Sequence, residues 1–463
     1  SNDYSSFVSG NGGNINVSLN TNGLNKVYCS YDLVYIPSTA YTPNSGATSA
    51  GLKEFILSGT SDKGNSFSEI DVSGSSAVTL ISGIKISTDT NILENWSFTA
   101  KYYNLDVIQD NVAGKTFKGN VKVANTNCSF NEPARIGYEA ILLDNGGGAT
   151  TVDAAKAYIE GRTTSTTPNF SVDATTNEGM YSAKDDLGTS YYYRGAVDNN
   201  WVKFGKDSSG NPIYWRIIRI NGDGSIRMIY TGTTAPTEST KVVMTGEGTQ
   251  IGISLFSGGS ATEPEFLGYM FTPGQLHGNS ADSTIKTTID NWYKTTTLET
   301  DSATKTLVED QIFCNDRSAS STQTAATIAV GPTYYYGVYE RLNQTTKSPV
   351  LTCPTASDKF TVNTSNGNGA LTYPVGLITA DEVVMAGDGN SSYYLYTNQD
   401  YWVGSPSYLG ADANRVFTVS SYGGLGAGAA VNGLKRGARP VVSLSSKAKL
   451  LGSGTYNDVY RVN

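Results

Sequence analysis

Histidine occurs once in this sequence, at position 277 in the polar segment QLHGNS. A Ser-His-Asp triad or a histidine metal site would have to rest on that single ring. No His-Glu-x-x-His, Gly-x-Ser-x-Gly or Walker-type phosphate loop is present either. His277 therefore reads as a solvated loop residue, and no catalytic residue is expected. Charge is scarce as well. Asp, Glu, Lys and Arg make up 16% of the chain, with a net charge of −8, against roughly 25% charged residues in ordinary soluble domains. No segment concentrates positive charge, so no nucleic-acid partner is expected. No apolar run approaches the roughly 20 residues of a membrane-spanning helix. The opening SNDYSSFVSG lacks a basic-plus-apolar signal segment, so an exported chain is expected in its mature form.

Cysteine is the next shortage: there are four in 463 residues. Cys29 and Cys128 fall in the first part of the chain, Cys314 and Cys353 in the second. The set is even and contains no Cys-x-x-Cys spacing. It reads as two structural disulfides, one per domain, in an oxidising, secreted or cell-surface setting. Four buried free thiols in a cytosolic protein are the alternative.

Glycine and tyrosine fill the space left by charge, at 50 and 30 residues. With Ser, Thr and Asn they favour strands joined by tight turns. Up to residue 130 the segments NINVSLNTN, KVYCSYDLVYI, AVTLISGIKIS, NWSFTAKYYNL and KTFKGNVKVAN alternate with period two. Turn residues separate them, as in an antiparallel sandwich of immunoglobulin type. Cys29 lies in an early strand and Cys128 just after the last, so a bridge would tie first strand to last. Residues 131–187 read as a linker with one short helix and an irregular polar stretch. Residues 188–463 read as α+β. NGDG at 221–224 is a hairpin turn between apolar runs. Helices are expected at DSTIKTTIDNWYKTT, through TKTLVEDQIF, and from Thr379 to a stop at Gly387. YYLYT, YWVG, RVFTVSS, RPVVSLS and DVYRV read as short strands.

The segments SYYYRGAVDNNWVKF, YWRIIRINGDGSIRMIY, IKTTIDNWY, IFCNDRS, YPVGLITADEVVMAG, YWVGSPS and RGARPVVSL resemble a module of Gram-positive cell-surface proteins that has no assigned activity. That family is similar in fold to C-type lectins and the formylglycine-generating enzyme. The resemblance implies a loop-rich twisted sheet with flanking helices, a display scaffold, and a disulfide-like pair at Cys314 and Cys353. Bridged cysteines would not supply the enzyme's thiol chemistry. WSFTAKYYNLDVIQDNVAGKTFKGNVKV resembles, more loosely, immunoglobulin-like domains of surface and fibre proteins.

Tyr334, Tyr335 and Tyr336, with Tyr401 and Trp402, are candidate binding residues for a glycan or cell-surface protein. Half-buried sheet faces would explain the same runs. Arg439, before Pro440, reads as a loop anchor to carbonyls or carboxylates. NGDGS and GDGNSS superficially resemble calcium loops, with Asp223, Asp316, Asp388 and Asp412 in turns. Neither has the alternation of oxygen ligands ending in Glu, so no metal or cofactor is expected. The N-terminal arm, with Tyr4, Phe7 and Val8, is either a strand donated to a neighbour's sheet or a disordered tail. Together these readings predict an extracellular structural subunit of a filament or surface array that self-assembles. A non-polymerising adhesin is the alternative.

Overall fold

The computed structural model describes residues 7–21, 27–39, 41–105, 109, 116–130, 151–153, 163–164, 166–260, 262–321, 334–410, 412–448 and 450–462. They divide into two compact units, with the division between Asp153 and Thr163. Both are mainly β. Tyr4 and the expected helix of the 131–187 region lie outside the described residues.

The first unit has two facing sheets. Its strands are β1 (Phe7–Asn20), β2 (Val27–Pro37), β3 (Phe55–Ser61), β4 (Ser66–Asp71), β5 (Val78–Ser87), β6 (Leu93–Tyr103), β7 (Gly119–Phe130) and β8 (Thr151–Asp153), with a short helix α1 (Ser45–Ala50) after β2. The sheet orders are β4-β3-β6-β1-β8 and β5-β2-β7. Alternate residues point inward, as period two requires. Val17, Tyr31, Leu33, Leu57, Ile86, Trp96 and Phe98 from both sheets form one core.

In an immunoglobulin sandwich the first strand shares a sheet with the second, and the seventh with the sixth. Here β1 lies beside β6, and β7 lies beside β2. The two end strands have changed places, a correction to the expected order. Alternation shows which residues face inward but not which sheet a strand joins. The cysteine expectation shifts with it. Cys29 and Cys128 are direct register partners on β2 and β7, bridged with Cα atoms 4.1 Å apart. Cys128 lies within the last long strand, and the bridge ties it to the second strand, not the first.

The second unit carries β9 (Thr163–Thr164), β10 (Asn177–Lys184), β11 (Thr189–Gly195), β12 (Trp201–Lys206), β13 (Pro212–Ile220) and β14 (Ile226–Gly232) in its main sheet. Val441–Leu444 pairs with β14, and the last strand, Tyr460–Val462, runs parallel to β12. A second sheet is built on Tyr401–Leu409 and Asn414–Val419. Its helices include α2 (Thr284–Tyr293), α3 (Gly337–Leu342) and α4 (Ala380–Ala386). Asn221–Gly224 is the expected turn, Ser283 caps α2, and α4 starts at Thr379 as expected.

Three segments differ from expectation. TKTLVEDQIF (304–313) is not a helix: it begins in the last residues of a helical turn, Ser302–Lys305, and runs through the strand Val308–Glu309 into the strand Phe313–Cys314. Pairing of Val308 with Leu444 takes Val308–Glu309 into the main sheet, and Phe313–Cys314 pairs with Lys359–Phe360. The polar stretch before residue 188 contains β10, whose side chains are mostly part-exposed. YYLYT is a buried turn: Tyr393, Tyr394 and Leu395 are at most 1% exposed.

Buried arginines explain how so many loops stay in place. Arg194, Arg216, Arg227, Arg317 and Arg439 are among the largest fully buried side chains. Arg439 donates to the Tyr230 carbonyl at 3.0 and 3.1 Å and to the Leu395 carbonyl at 3.1 Å, and it stacks 4.7 Å from the Tyr401 ring centre. This is the loop anchoring expected for it. Arg216 donates to Asn200 Oδ1 and the Val242 carbonyl at 2.6 Å, and lies 4.2 Å from the Trp201 ring centre. It has no carboxylate partner among the described residues, and burial pulls its pKa below the usual guanidinium range. Arg194 donates to Val384 and Met385, the C-terminal carbonyls of α4, and to the Val172 carbonyl. Each planar fork satisfies several carbonyls that no regular ladder reaches.

Candidate functional site

Two places in the second unit gather chemistry-bearing side chains. The first is a charged centre under α4. Thr379 and Glu382 form a capping box, each side chain accepting from the other's backbone N–H. Glu382 serves a second purpose: its Oε1 is 2.9 Å from Arg219 Nε on β13 and 2.6 Å from Arg227 Nε on β14. Burial pushes this carboxyl up, but Arg227 and Arg219 outweigh it and hold it below its usual range. Asp185 accepts from Arg219 at 3.0 Å, from Ser190, and from the backbone N–H groups of Leu187, Gly188 and Gly222. Its pKa is lowered too, with Arg219 and these donors outweighing burial. On α3, Arg341 forks onto Asp381 at 2.7 and 2.8 Å and reaches Asp316 at 2.8 Å.

These groups line a cavity of about 30 Å³, room for about two water molecules. Every arginine in it is spent on a carboxylate. The arrangement fixes α4, α3 and the β13–β14 hairpin to one another. Glu382, Asp185, Asp381 and Asp316 are each held by an arginine.

The second place is a surface patch. Tyr334–Tyr335 pairs as a short strand with Leu409 and Tyr408. This sets the Tyr335 ring 4.4 Å from Tyr339 on α3 and 5.7 Å from Tyr408, centre to centre. Tyr339 and Tyr408 are 5.6 Å apart. Arg415 lies 5.9 Å from the Tyr408 ring centre and pairs with Asp412 at 2.8 Å. All three rings are part-exposed. Burial and the nearby Tyr335 and Tyr408 hydroxyls raise the Tyr339 pKa. The patch offers phenol hydroxyls, aromatic edges and one guanidinium.

Of the expected binding residues, Tyr334 and Tyr335 are part-exposed and Tyr335 belongs to the patch. Tyr336, Tyr401 and Trp402 are fully buried and are not exposed anchors. Trp402 donates to the Ser254 carbonyl at 2.7 Å and Tyr401 to the Leu395 carbonyl at 3.1 Å, so their polar tips are used inside. Tyr339, Tyr408 and Arg415 were not singled out by sequence. The i, i+4 spacing of Tyr335 and Tyr339 was the available signal, but strand pairing alone brings in Tyr408.

His277 is not merely solvated: its Nδ1 lies 3.0 Å from buried Asp358, which Arg317 holds at 2.7 Å. Cys314 and Cys353 are bridged. Asp316, Asp388 and Asp412 are paired to Arg341, Lys347 and Arg415, and Asp223 bonds Ser225. Among the described residues no three metal-ligating side chains converge, and no helix is long and apolar enough to cross a membrane.

In the first unit, the outer edge of β1 is the open feature. Phe7 to Ser18 pair with β6, whereas only Ser18–Asn20 pair with β8. Over Phe7–Val17 no other strand lies on that edge among the described residues. Phe7 is 44% exposed at its start. The other edges carry charged side chains as well as a positive-φ residue. β4 carries Glu69 at φ 53°, β5 has Gly83 at φ 69° with Lys85, and β7 has Asn125 at φ 48° with Lys122. Residues 4–25 contain no charge. The chain matches no protein-family model, no curated protein and no solved structure.

Proposed function

We propose that this protein is an extracellular structural subunit of a bacterial surface filament or array. The first unit supplies assembly, and the second is displayed as a lectin-like scaffold. The observation that carries this reading is the uncharged outer edge of β1, over which no other strand lies among the described residues from Phe7 to Val17. Natural sheets protect such edges with lysine and other charges; the other three edges of this sandwich carry them, as Glu69, Lys85 and Lys122. The disulfides and the absence of a catalytic constellation among the described residues agree with it. The test is light scattering on a sizing column with imaging of the eluate. Species of several subunits that grow with concentration support assembly, and a monomer at all concentrations contradicts it.

The tyrosine patch favours a second reading, a non-polymerising adhesin that binds a glycan or cell-surface protein through Tyr335, Tyr339, Tyr408 and Arg415. Tyrosine and arginine are the side chains that anchor interfaces most often. A glycan array that lights up with the folded protein and goes dark with Tyr408→Ala supports it. A blank array with the unaltered protein counts against glycan recognition.

A further inference from the structure

The first strand of the sandwich is held in two different ways along its length. From Ile15 onward alternate side chains enter the core, with Val17 and Leu19 at 0% and 7% exposure. From Ser9 to Asn14 every residue is exposed. Yet this exposed half is fully laddered to β6, from Phe7 opposite Tyr103 to Asn14 opposite Ser97. Main-chain hydrogen bonding is therefore a large part of its hold. Phe7 adds a side-chain contact, sitting edge-on to Tyr103 at 5.9 Å and 4.6 Å below the Lys101 ammonium.

The halves meet at a bulge. Gly12 is the extra residue between Asn11 and Gly13, and Gly13 sits at φ +92°. A Cβ on Gly12 would come within 3.0 Å of the Phe98 backbone. Two adjacent glycines are a place where backbone direction changes at little steric cost.

The geometry points to Phe7–Asn11 as an exchangeable segment. In an assembly it leaves its own β6 and pairs, in the same register, with β6 of a second copy. Asn11–Gly13 is the hinge, and Ile15–Asn20 stay packed at home. This rests on the self-assembly reading above and supplies its contact. Exchange costs little packing, because the described side chains of the segment are exposed, and an identical segment rebuilds the same ladder and the Phe7–Tyr103 contact. A region with few buried contacts also opens at low free energy. The vacated edge of β6 needs a partner, and a second copy supplies the matching one. Only this sequence returns Phe7 to Tyr103 and Lys101. Phe7 thus belongs to a donated strand, and its place on its own β6 is the self-paired state.

Single cysteines at register partners test this. Chains carrying Ser9→Cys are mixed at high concentration with chains carrying Lys101→Cys, so that a new disulfide forms only between copies. A parallel mixture uses Asn14→Cys and Ser97→Cys, on the other side of the hinge. All four positions are at least part-exposed, so the fold tolerates them. Exchange predicts interchain dimers on non-reducing gels for the first mixture, fading tenfold or more on dilution, and none for the second. Equal bonding in both mixtures overturns the hinge. If neither mixture bonds, and the double variant Ser9→Cys/Lys101→Cys closes only within chains, exchange is overturned. Filaments seen together with that last result reject exchange and leave assembly by another contact standing. A monomer at all concentrations rejects both.

Discussion

Glu382→Gln leaves two buried guanidiniums facing a neutral amide. Arg219 keeps Asp185, but Arg227 has no other carboxylate within ion-pair distance among the described residues. Breaking a buried pair from one side costs about 3–5 kcal/mol, and urea unfolding of the variant should show a loss of that size. The same carboxylates set the acid limb. Glu382 and Asp185 have folded pKa values below their unfolded ones. Their contribution is therefore full above about pH 4.5 and is lost as pH falls through the depressed folded values. Melting temperature followed from pH 7 to pH 2 should drop steeply at the acid end, and less steeply in Glu382→Gln. Equal slopes would mean other carboxylates govern acid unfolding. Gly222 is the other exacting position. A Cβ there would lie 2.3 Å from Gly188 N and 2.4 Å from Asp185 Oδ1. Gly222→Ala should cost about 2–3 kcal/mol through the displaced Asp185 donors.

At the scale of elements, the disulfides act on very different loops. Cys29–Cys128 closes a separation of 99 residues and Cys314–Cys353 one of 39. The chain-entropy model gives about 4.7 and about 4 kcal/mol. Paired Cys→Ala variants should lower denaturant midpoints accordingly, each in its own unit, and equal midpoints with and without a bridge would contradict this. The strands that alternate were legible: the β1, β2, β5, β6 and β7 segments, and the β12–β14 run with its NGDG turn. So were α2 and α4, whose caps and stop residues stand in the sequence. β3 and β4 were missed because FILSGTS and SFSEID have weak or interrupted alternation. The exchange of β1 and β7 between sheets was not legible because pairing partners are set by long-range packing. The tyrosine runs divided by burial for the same reason. Arg439 and Arg216, through carbonyls and rings far away in sequence, made YYLYT a buried turn.

The whole molecule combines two β-rich units with different means of holding together. One has a shared apolar core between two sheets. The other has buried arginines that satisfy loop carbonyls and carboxylates, with α4 at its charged centre. Each unit carries a recognisable surface feature: the β1 edge on the first and the tyrosine patch on the second. Tyr408→Ala, at a part-exposed ring, should cost about 1 kcal/mol or less in stability while removing any ligand signal that depends on the patch, as a binding assay beside a melt would show. The claim that the first unit drives assembly is tested most directly by imaging the purified chain beside a version lacking residues 1–13. The account predicts filaments or arrays from the full chain and isolated particles from the shortened one. Identical images of the two, whether both assembled or both monomeric, would contradict it.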